Sequence, residues 1–507
     1  MRLHINDYRN MVLGCWLGKN IGGTLGAPME WKRQFNDVTF YTQDLGGEPL
    51  PNDDLDIQLL WLMALEGQGV ELTAQTLADY WCLYVTPHWA EYGTGKINMR
   101  SGLLPPLSGT VGNDFKDSCG SFIRSEIWAC IAPGRPDIAA RYAYEDAILD
   151  HGDGEGTYAE VLVAAMESAA FVVKDLRKLI EIGLTYVPDD CAVAAATKTA
   201  VECYDKKMAW TDARDEILRR YRGGTFMSLF DHTSPRDREL GFDQGKIGYD
   251  VPSNIGMLIL GLLYGEGDFA KTLCTTVNCG EDTDCTAATA GSIFGILYGA
   301  DAIPEEWITP IGRGIKTIVL DLGDLWGIPQ NVDDLTERTV KMARQVLLRY
   351  GGYELLSDQP TDLADVNPDQ YKSSIAPADR FAHIGGPRFD FPFFQISVDY
   401  GADGPFIRDG EPKTVRVKIE NTRGIQANLS LHWYLPEGWS VSPSADGYAL
   451  SLSRFIGGKT LVLEYTFTAE RISRAANRAA FEVTAEGRPT VMLVPLTLMN
   501  GNVMSQG

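Results

Sequence analysis

The sequence predicts an all-α domain followed by an all-β, immunoglobulin-like sandwich. Three observations predict it. Residues 1–350 carry apolar or Ala-rich stretches of helical length and few alternating runs. Residues 351–380 are dense in Pro, Asp and Ser, the composition of a linker. From residue 381 onward, short alternating runs are separated by turn signals at the spacing of a sandwich. The chain has 507 residues, and one core stops growing at roughly 250–300, so more than one domain is expected. The boundaries read as 1–350 for the helical domain, 351–380 for the linker and 381–507 for the sandwich.

In chain order, Leu55–Glu66 is apolar around most of its circumference, which suits a buried helix. Ala159–Val173 and Val193–Tyr204 are Ala-rich and long enough to be helices. Asn254–Tyr264, Phe269–Val277, Ala287–Gly299 and Asp334–Tyr350 continue the pattern. The strands are Phe393–Val398, Thr414–Glu420, Ala427–Tyr434, Thr460–Thr468, Ala480–Ala485 and Val491–Thr497. Asp409-Gly410, Pro436–Trp439, Gly457-Gly458 and Glu486–Pro489 mark the turns between them. Trp433, Tyr434 and Trp439 read as sandwich core and corner residues, with a sugar-binding platform as the rival reading.

Composition narrows the function. Lys and Arg number 45 against 68 Asp and Glu, a net charge of −23 that repels phosphate backbones and anionic lipid. Neither a nucleic-acid partner nor a membrane is therefore expected. The apolar stretches Ile255–Tyr264 and Ile293–Tyr298 fall short of the roughly 18–20 residues of a span. Met1–Asn10 is too polar for an export signal. Nine cysteines without a C-x-x-C pair, and six histidines without H-E-x-x-H, argue against a disulfide framework and a His-ligated zinc. A reducing, cytoplasmic location is the expectation. Residues 381–507 hold 12 basic and 12 acidic residues, so the net negative charge belongs to the helical part, where the chemistry is sought.

Two helix starts are unusually acidic. Asn52-Asp53-Asp54-Leu55-Asp56 leads into the first buried helix, and Gly280-Glu281-Asp282-Thr283-Asp284-Cys285 leads into Ala287–Gly299. Capping explains one acceptor at a helix start, worth about 0.5–2 kcal/mol. Each segment supplies three or four, and such carboxylates repel one another unless cations are present. Hard divalent ions take oxygen ligands, and a bridged pair uses carboxylates from separate segments.

These residues resemble the ADP-ribosylglycohydrolase family. Gly14–Glu30 is similar to the family's opening helix and Gly-Ala-Pro-x-Glu turn, and Asn52-Asp53-Asp54 to its Thr-Asp-Asp. Asp146–Tyr158, with His151-Gly152, resembles the segment near the ribose, and Gly280–Gly291 the Gly-Gly-Asp-Thr-Asp-Thr signature. The resemblance covers roughly residues 8–345. It implies an orthogonal helical bundle and two Mg²⁺ ions, with Mn²⁺ as a substitute, held by Asp53, Asp54, Asp282 and Asp284. Asn52 stands where the family has a threonine ligand, and its amide oxygen can also coordinate. Cys285 replaces the closing threonine or serine, and a thiol is a poor partner for a hard cation. One ion then takes an extra water, binds more weakly, or recruits Asp56 or Thr286. Catalytic roles fall to Glu30, Asp53 and Asp284 at the metal centre, with Glu155 or Asp153 as the leaving-group acid.

Substrate contacts are expected from several loops. Asn98 and Arg100 precede a Pro-rich turn and suit a phosphate or sugar. Gly120 and Ser121 offer a backbone a ligand can approach closely. His151, Gly152 and Gly154 lie in the densest polar loop, and the resemblance implies that Asn254 sits in a tight turn before a helix near the ligand. Arg124 and Glu126 read as a contact or a structural ion pair, the latter for Glu126. The expected activity is hydrolysis at the anomeric carbon of ADP-ribose or a related ribofuranosyl group, on a small molecule or a protein. The alternatives are a non-catalytic ADP-ribose binder, a repurposed structural protein, or a glycohydrolase of another glycoside or nucleoside. The sandwich is left to pack on the helical domain, shape a cleft rim or join copies into a homo-oligomer.

Overall fold

The computed structural model describes residues 1–222, 232–453, 455 and 460–502, so the turn expected at Gly457-Gly458 lies outside the described residues. The chain divides into two units, one of residues 1–96 and 112–379, the other of residues 97–111 and 380–507.

The first unit is helical. Its site-forming helices are α1 (Ile5–Gly26), α2 (Asp53–Gln68), α3 (Ala90–Arg100), α4 (Glu155–Ala170), α5 (Ala192–Asp205), α6 (Val251–Gly265), α7 (Phe269–Asn278), α8 (Thr283–Tyr298) and α9 (Val332–Tyr350). The last turn of α3 is counted with the second unit. In α2 nearly every side chain from Asp54 to Leu65 is buried, as its apolar circumference requires. α8 begins four residues before the apolar run expected for it, because Asp282 already occupies the position ahead of the first turn. Among the described residues no helix is long and apolar enough to cross a membrane.

The stretch expected as a linker is bound to the first unit as far as Asp379. Leu356–Ser357 pairs in parallel with Leu3–His4, and the Tyr186 hydroxyl donates to the Tyr371 carbonyl at 3.0 Å. Its polar composition reflects a path over the surface, not freedom from it.

The second unit is a sandwich of two five-stranded sheets. Its strands are β1 (Arg388–Phe391), β2 (Phe394–Asp399), β3 (Phe406–Ile407), β4 (Lys413–Asn421), β5 (Ala427–Tyr434), β6 (Trp439–Ser442), β7 (Asp446–Ser451), β8 (Thr460–Ala469), β9 (Ala476–Ala485) and β10 (Met492–Asn500). The sheet orders are β1-β2-β4-β8-β6 and β3-β10-β9-β5-β7, antiparallel apart from the short β3–β10 pair. Burial alternates along β4 and β5, so one face of each sheet supplies the core. Trp433 sits in that core against Phe481 and Phe467, with ring centroids at 4.6 and 5.0 Å, so it belongs to no sugar platform. Tyr434 is exposed and Trp439 half-buried. Leu103 and Leu107 are buried in the same core, which ties residues 97–111 to the sandwich.

Candidate metal centre

The centre depends on how closely α1 and α8 cross. Gly14, Gly18, Gly22 and Gly26 recur every fourth residue and so share one face of α1. They meet, in order, the backbone of Gly295, Gly291, Ala287 and Thr283. A Cβ at Gly18 or Gly22 would overlap the facing carbonyl, so the helices approach to backbone contact. The order shows that they run antiparallel. The C-terminal end of α1, followed by a single turn at Ala27–Met29, therefore delivers Glu30 to the start of α8.

The start of α2 is braced from below. The Asn52 side-chain oxygen caps the helix, accepting from the Asp54 N–H at 2.8 Å. The Tyr92 hydroxyl donates to Asp53 at 2.9 Å. Asp54 is buried 3.5 Å from the Lys19 ammonium, which also holds Glu126 at 2.7 Å and the Ile123 carbonyl at 2.6 Å. Gln58 donates to the second oxygen of Glu126 at 2.8 Å. Glu126 is thus a structural partner, though of Lys19 and not of Arg124.

The start of α8 is held by a strained turn. Gly280 and Glu281 both adopt left-handed backbone, at φ 77° and 71°. A Cβ at Gly280 would strike the Gln34 carbonyl, whereas Glu281 carries the strain of an L-residue there. Arg222 at 2.7 Å and Arg33 at 3.5 Å fix its carboxylate. Asn254 accepts from the Asp282 N–H at 3.2 Å, the Thr286 hydroxyl donates to the Asp282 carbonyl at 2.8 Å, and Thr283 donates to the Gly26 carbonyl at 2.8 Å.

Two groupings of ligand atoms result. The carboxylates of Glu30, Asp282 and Asp284 offer atoms all within 4.8 Å of one another, and so do Asp54, Asp284 and the Cys285 thiol. Asp284 belongs to both. Burial and neighbouring charge work together here: burial first, then Asp284, Asp53 and Asp54, push the Glu30 carboxyl up to about 9. Burial and Asp284 push Asp53 up to about 6. Burial also raises Asp54, against the pull of Lys19, as well as Asp282 and Asp284. Asp282 Oδ1 and Asp284 Oδ1 are buried with no hydrogen-bond partner. Crowded buried carboxylates with unpaired oxygens are what a divalent cation neutralises, so the donor set fits one or two such ions.

The sequence-predicted residues divide. Glu30, Asp53, Asp54, Asp282, Asp284 and Cys285 come together, and Asn254 stands behind Asp282 as a positioning residue. Asn52 stands at the edge of the centre, where its oxygen caps the helix and its NH₂ turns toward Asp284 Oδ2 at 3.4 Å. Asp56 stays outside both groupings: its Oδ2 accepts from the Ile318 and Val319 N–H groups at 2.6 and 2.8 Å while Oδ1 is buried without a hydrogen-bond partner, and the Thr286 hydroxyl donates to the Asp282 carbonyl. Glu155 is not placed to protonate a leaving group, because its two oxygens accept the Ala192 and Val193 N–H groups, each at 2.9 Å, at the start of α5. Asp153 pairs with Lys116 at 2.7 Å in an exposed position.

The remaining loops build the fold around the centre. His151 is fully buried, with Nδ1 2.8 Å from Asp150 and Nε2 3.4 Å from Ser118, so it does not project into a cleft. Arg124 holds Asp150 and Asp146 at 2.7 and 2.8 Å. The Ser121 hydroxyl donates to the Gly156 carbonyl at 2.6 Å, and the Gly152 carbonyl accepts from Thr157 at 2.8 Å. A Cβ at Gly154 would strike the Lys116 carbonyl, and one at Gly120 the Glu91 carboxylate, so both glycines admit protein neighbours. Asn98 donates to the Ser108 and Val111 carbonyls at 2.9 and 2.7 Å, closing its own loop, and Arg100 stands exposed where a cation suits the end of α3. Sequence reasoning missed Lys19 and Tyr92. Lys19 had a signal, a lone charge in a Gly-rich apolar helix; Tyr92 had none.

Comparison with known proteins bears on the first unit. The ADP-ribosylglycohydrolase family matches residues 4–343. No curated protein matches the chain. Among solved structures, a FixG-related protein from Vibrio parahaemolyticus is similar at 13% identity, covering 22% of this chain and 99% of that one, with a TM-score of 0.18. A likeness of that size carries no argument.

Proposed function

The chain belongs to the ADP-ribosylglycohydrolase family, whose members hydrolyse glycosidic bonds, and from that premise we propose a metal-dependent hydrolase of ADP-ribose or related ribofuranosyl substrates. The observation that carries the proposal is the meeting of Asp53 and Asp54 with Asp282 and Asp284 at two helix starts separated by 228 residues, Asp54 to Asp282, joined by Glu30 from the end of α1. Those carboxylates would hold two divalent cations, Mg²⁺ with Mn²⁺ as a substitute. Such ions, when bound, polarise sugar hydroxyls and lower the pKa of water.

The chain's own residues do the rest. Asp53 is aimed by Tyr92, and Lys19 balances Asp54 from beneath, so neither carboxylate swings away. Glu30 and Asp53 are the half-buried members, the ones a substrate reaches from outside. Glu155 and Asp153 are otherwise engaged, so neither serves as the leaving-group acid, and Glu30 would act as a metal ligand at the edge of the centre. Arg124, Asp146 and Asp150 form a fully buried ion-pair framework in the same unit. The nine cysteines are all free thiols, which supports a reducing, cytoplasmic setting.

The test is release of ADP-ribose from ADP-ribosylated substrates by the wild type and Asp284→Ala, with Mg²⁺ and with EDTA. Activity is expected only in the wild type with Mg²⁺. Full activity in EDTA overturns the proposal, and tight ADP-ribose binding without turnover would mark a binder instead.

A further inference from the structure

The two groupings at the centre are chemically unlike. Glu30, Asp282 and Asp284 present oxygen alone, whereas Asp54, Asp284 and Cys285 present two carboxylates and a sulfur. The Asn52 oxygen at the α2 cap accepts from the Asp54 N–H at 2.8 Å, and its NH₂, not its oxygen, faces Asp284. Cys285 Sγ lies 3.5 Å from Asp54 Oδ1 and is 8% exposed, so the thiol faces the carboxylates and not solvent. Asp284, 5% exposed, belongs to both groupings and keeps Oδ1 without a hydrogen-bond partner. A second thiol, Cys119, lies beside Asp282 on the other grouping.

Ligand softness selects metals. Carboxylates alone suit Mg²⁺, while a thiolate added to carboxylates favours borderline ions of the Fe²⁺, Co²⁺ and Zn²⁺ class. We propose that the centre is asymmetric: Asp54, Asp284 and Cys285 form a sulfur–oxygen subsite for a borderline transition-metal ion. Glu30, Asp282 and Asp284 form the all-oxygen subsite for a hard ion, with Asp284 shared. The proposal rests on the metal-dependent reading above and names the ions it takes. On ligation the Cys285 thiol gives its proton to solvent and its sulfur lone pair to the metal, with no change of oxidation state.

Co²⁺ added to the full chain in the presence of Mg²⁺ tests this by spectroscopy, independently of turnover. A near-ultraviolet thiolate-to-cobalt charge-transfer band is expected, saturating at one ion per chain. Cys285→Ser and Cys285→Thr should each abolish the band and weaken Co²⁺ by at least about tenfold, while Mg²⁺ still binds. Cys119→Ser should keep the band. Co²⁺ binding without a band, no Co²⁺ binding to a protein that binds Mg²⁺, a band that survives both Cys285 variants, or a band lost with Cys119→Ser instead would each overturn the sulfur subsite and leave the oxygen site standing. Failure of both ions to bind overturns the subsite and the metal-dependent reading together.

Discussion

Replacing Glu30 by Gln should stabilise the metal-free protein while disabling it. The Glu30 carboxyl ordinarily titrates at 4.5 and is pushed up to about 9 by burial and by the aspartates around it. Between those values the unfolded chain has released the proton and the folded chain has kept it, so stability falls as pH rises from 4.5 to 9. At pH 7 the span is about 2.5 pH units, and at about 1.4 kcal/mol each the cost is roughly 3 kcal/mol. Because Glu30 is only half-buried, solvent screening reduces this to about 2 kcal/mol. A neutral amide in its place would carry no such cost. Denaturation in EDTA is therefore expected to show Glu30→Gln more stable by about 2 kcal/mol at pH 7, with the gap closing near pH 4.5 and widening toward pH 9. Saturating Mg²⁺ should remove the advantage, since the cations compensate the same charge. A Glu30→Gln variant no more stable than wild type at pH 9 in EDTA would refute the crowding of carboxylates on which the site depends.

Lys19→Met leaves Asp54 and Glu126 buried without their cation, and should cost about 3–5 kcal/mol in denaturation or prevent folding. Glu155→Gln should lower stability by about 1 kcal/mol, the scale of a helix cap, and leave kcat near wild type; a collapse of kcat would restore Glu155 as the acid. Burial would raise the Asp150 carboxyl, but Arg124 and His151 outweigh it and hold it down at about 2. That carboxylate then contributes about 2 kcal/mol above its ordinary value of 3.8, lost as pH falls toward 2, so Asp150→Asn should destabilise at pH 7 and flatten the acid limb of the unfolding curve.

The two acidic helix starts were legible because each supplied more acceptors than a cap can use, and the structure brings them together. What the sequence could not show was which oxygens were already engaged. Asp56 looks like a spare ligand, yet its Oδ2 accepts from Ile318 and Val319, 262 and 263 residues away, and it joins neither grouping. Glu155 sits in the most polar loop, but its partners are backbone N–H groups of a helix 37 and 38 residues on. Composition reports exposure and not attachment, so the segment after Gly351 resembled a linker while following the first unit. Residues 97–111 carry Leu103 and Leu107 into the sandwich, a tertiary partnership that no local pattern encodes.

The most direct test of the account is a Mn²⁺ titration of the wild type and of Asp284→Ala, with bound and free ion resolved by electron paramagnetic resonance. Asp284 belongs to both groupings, so the wild type should bind two ions and the variant should lose at least one and weaken the other. Identical titrations of the two proteins would contradict it.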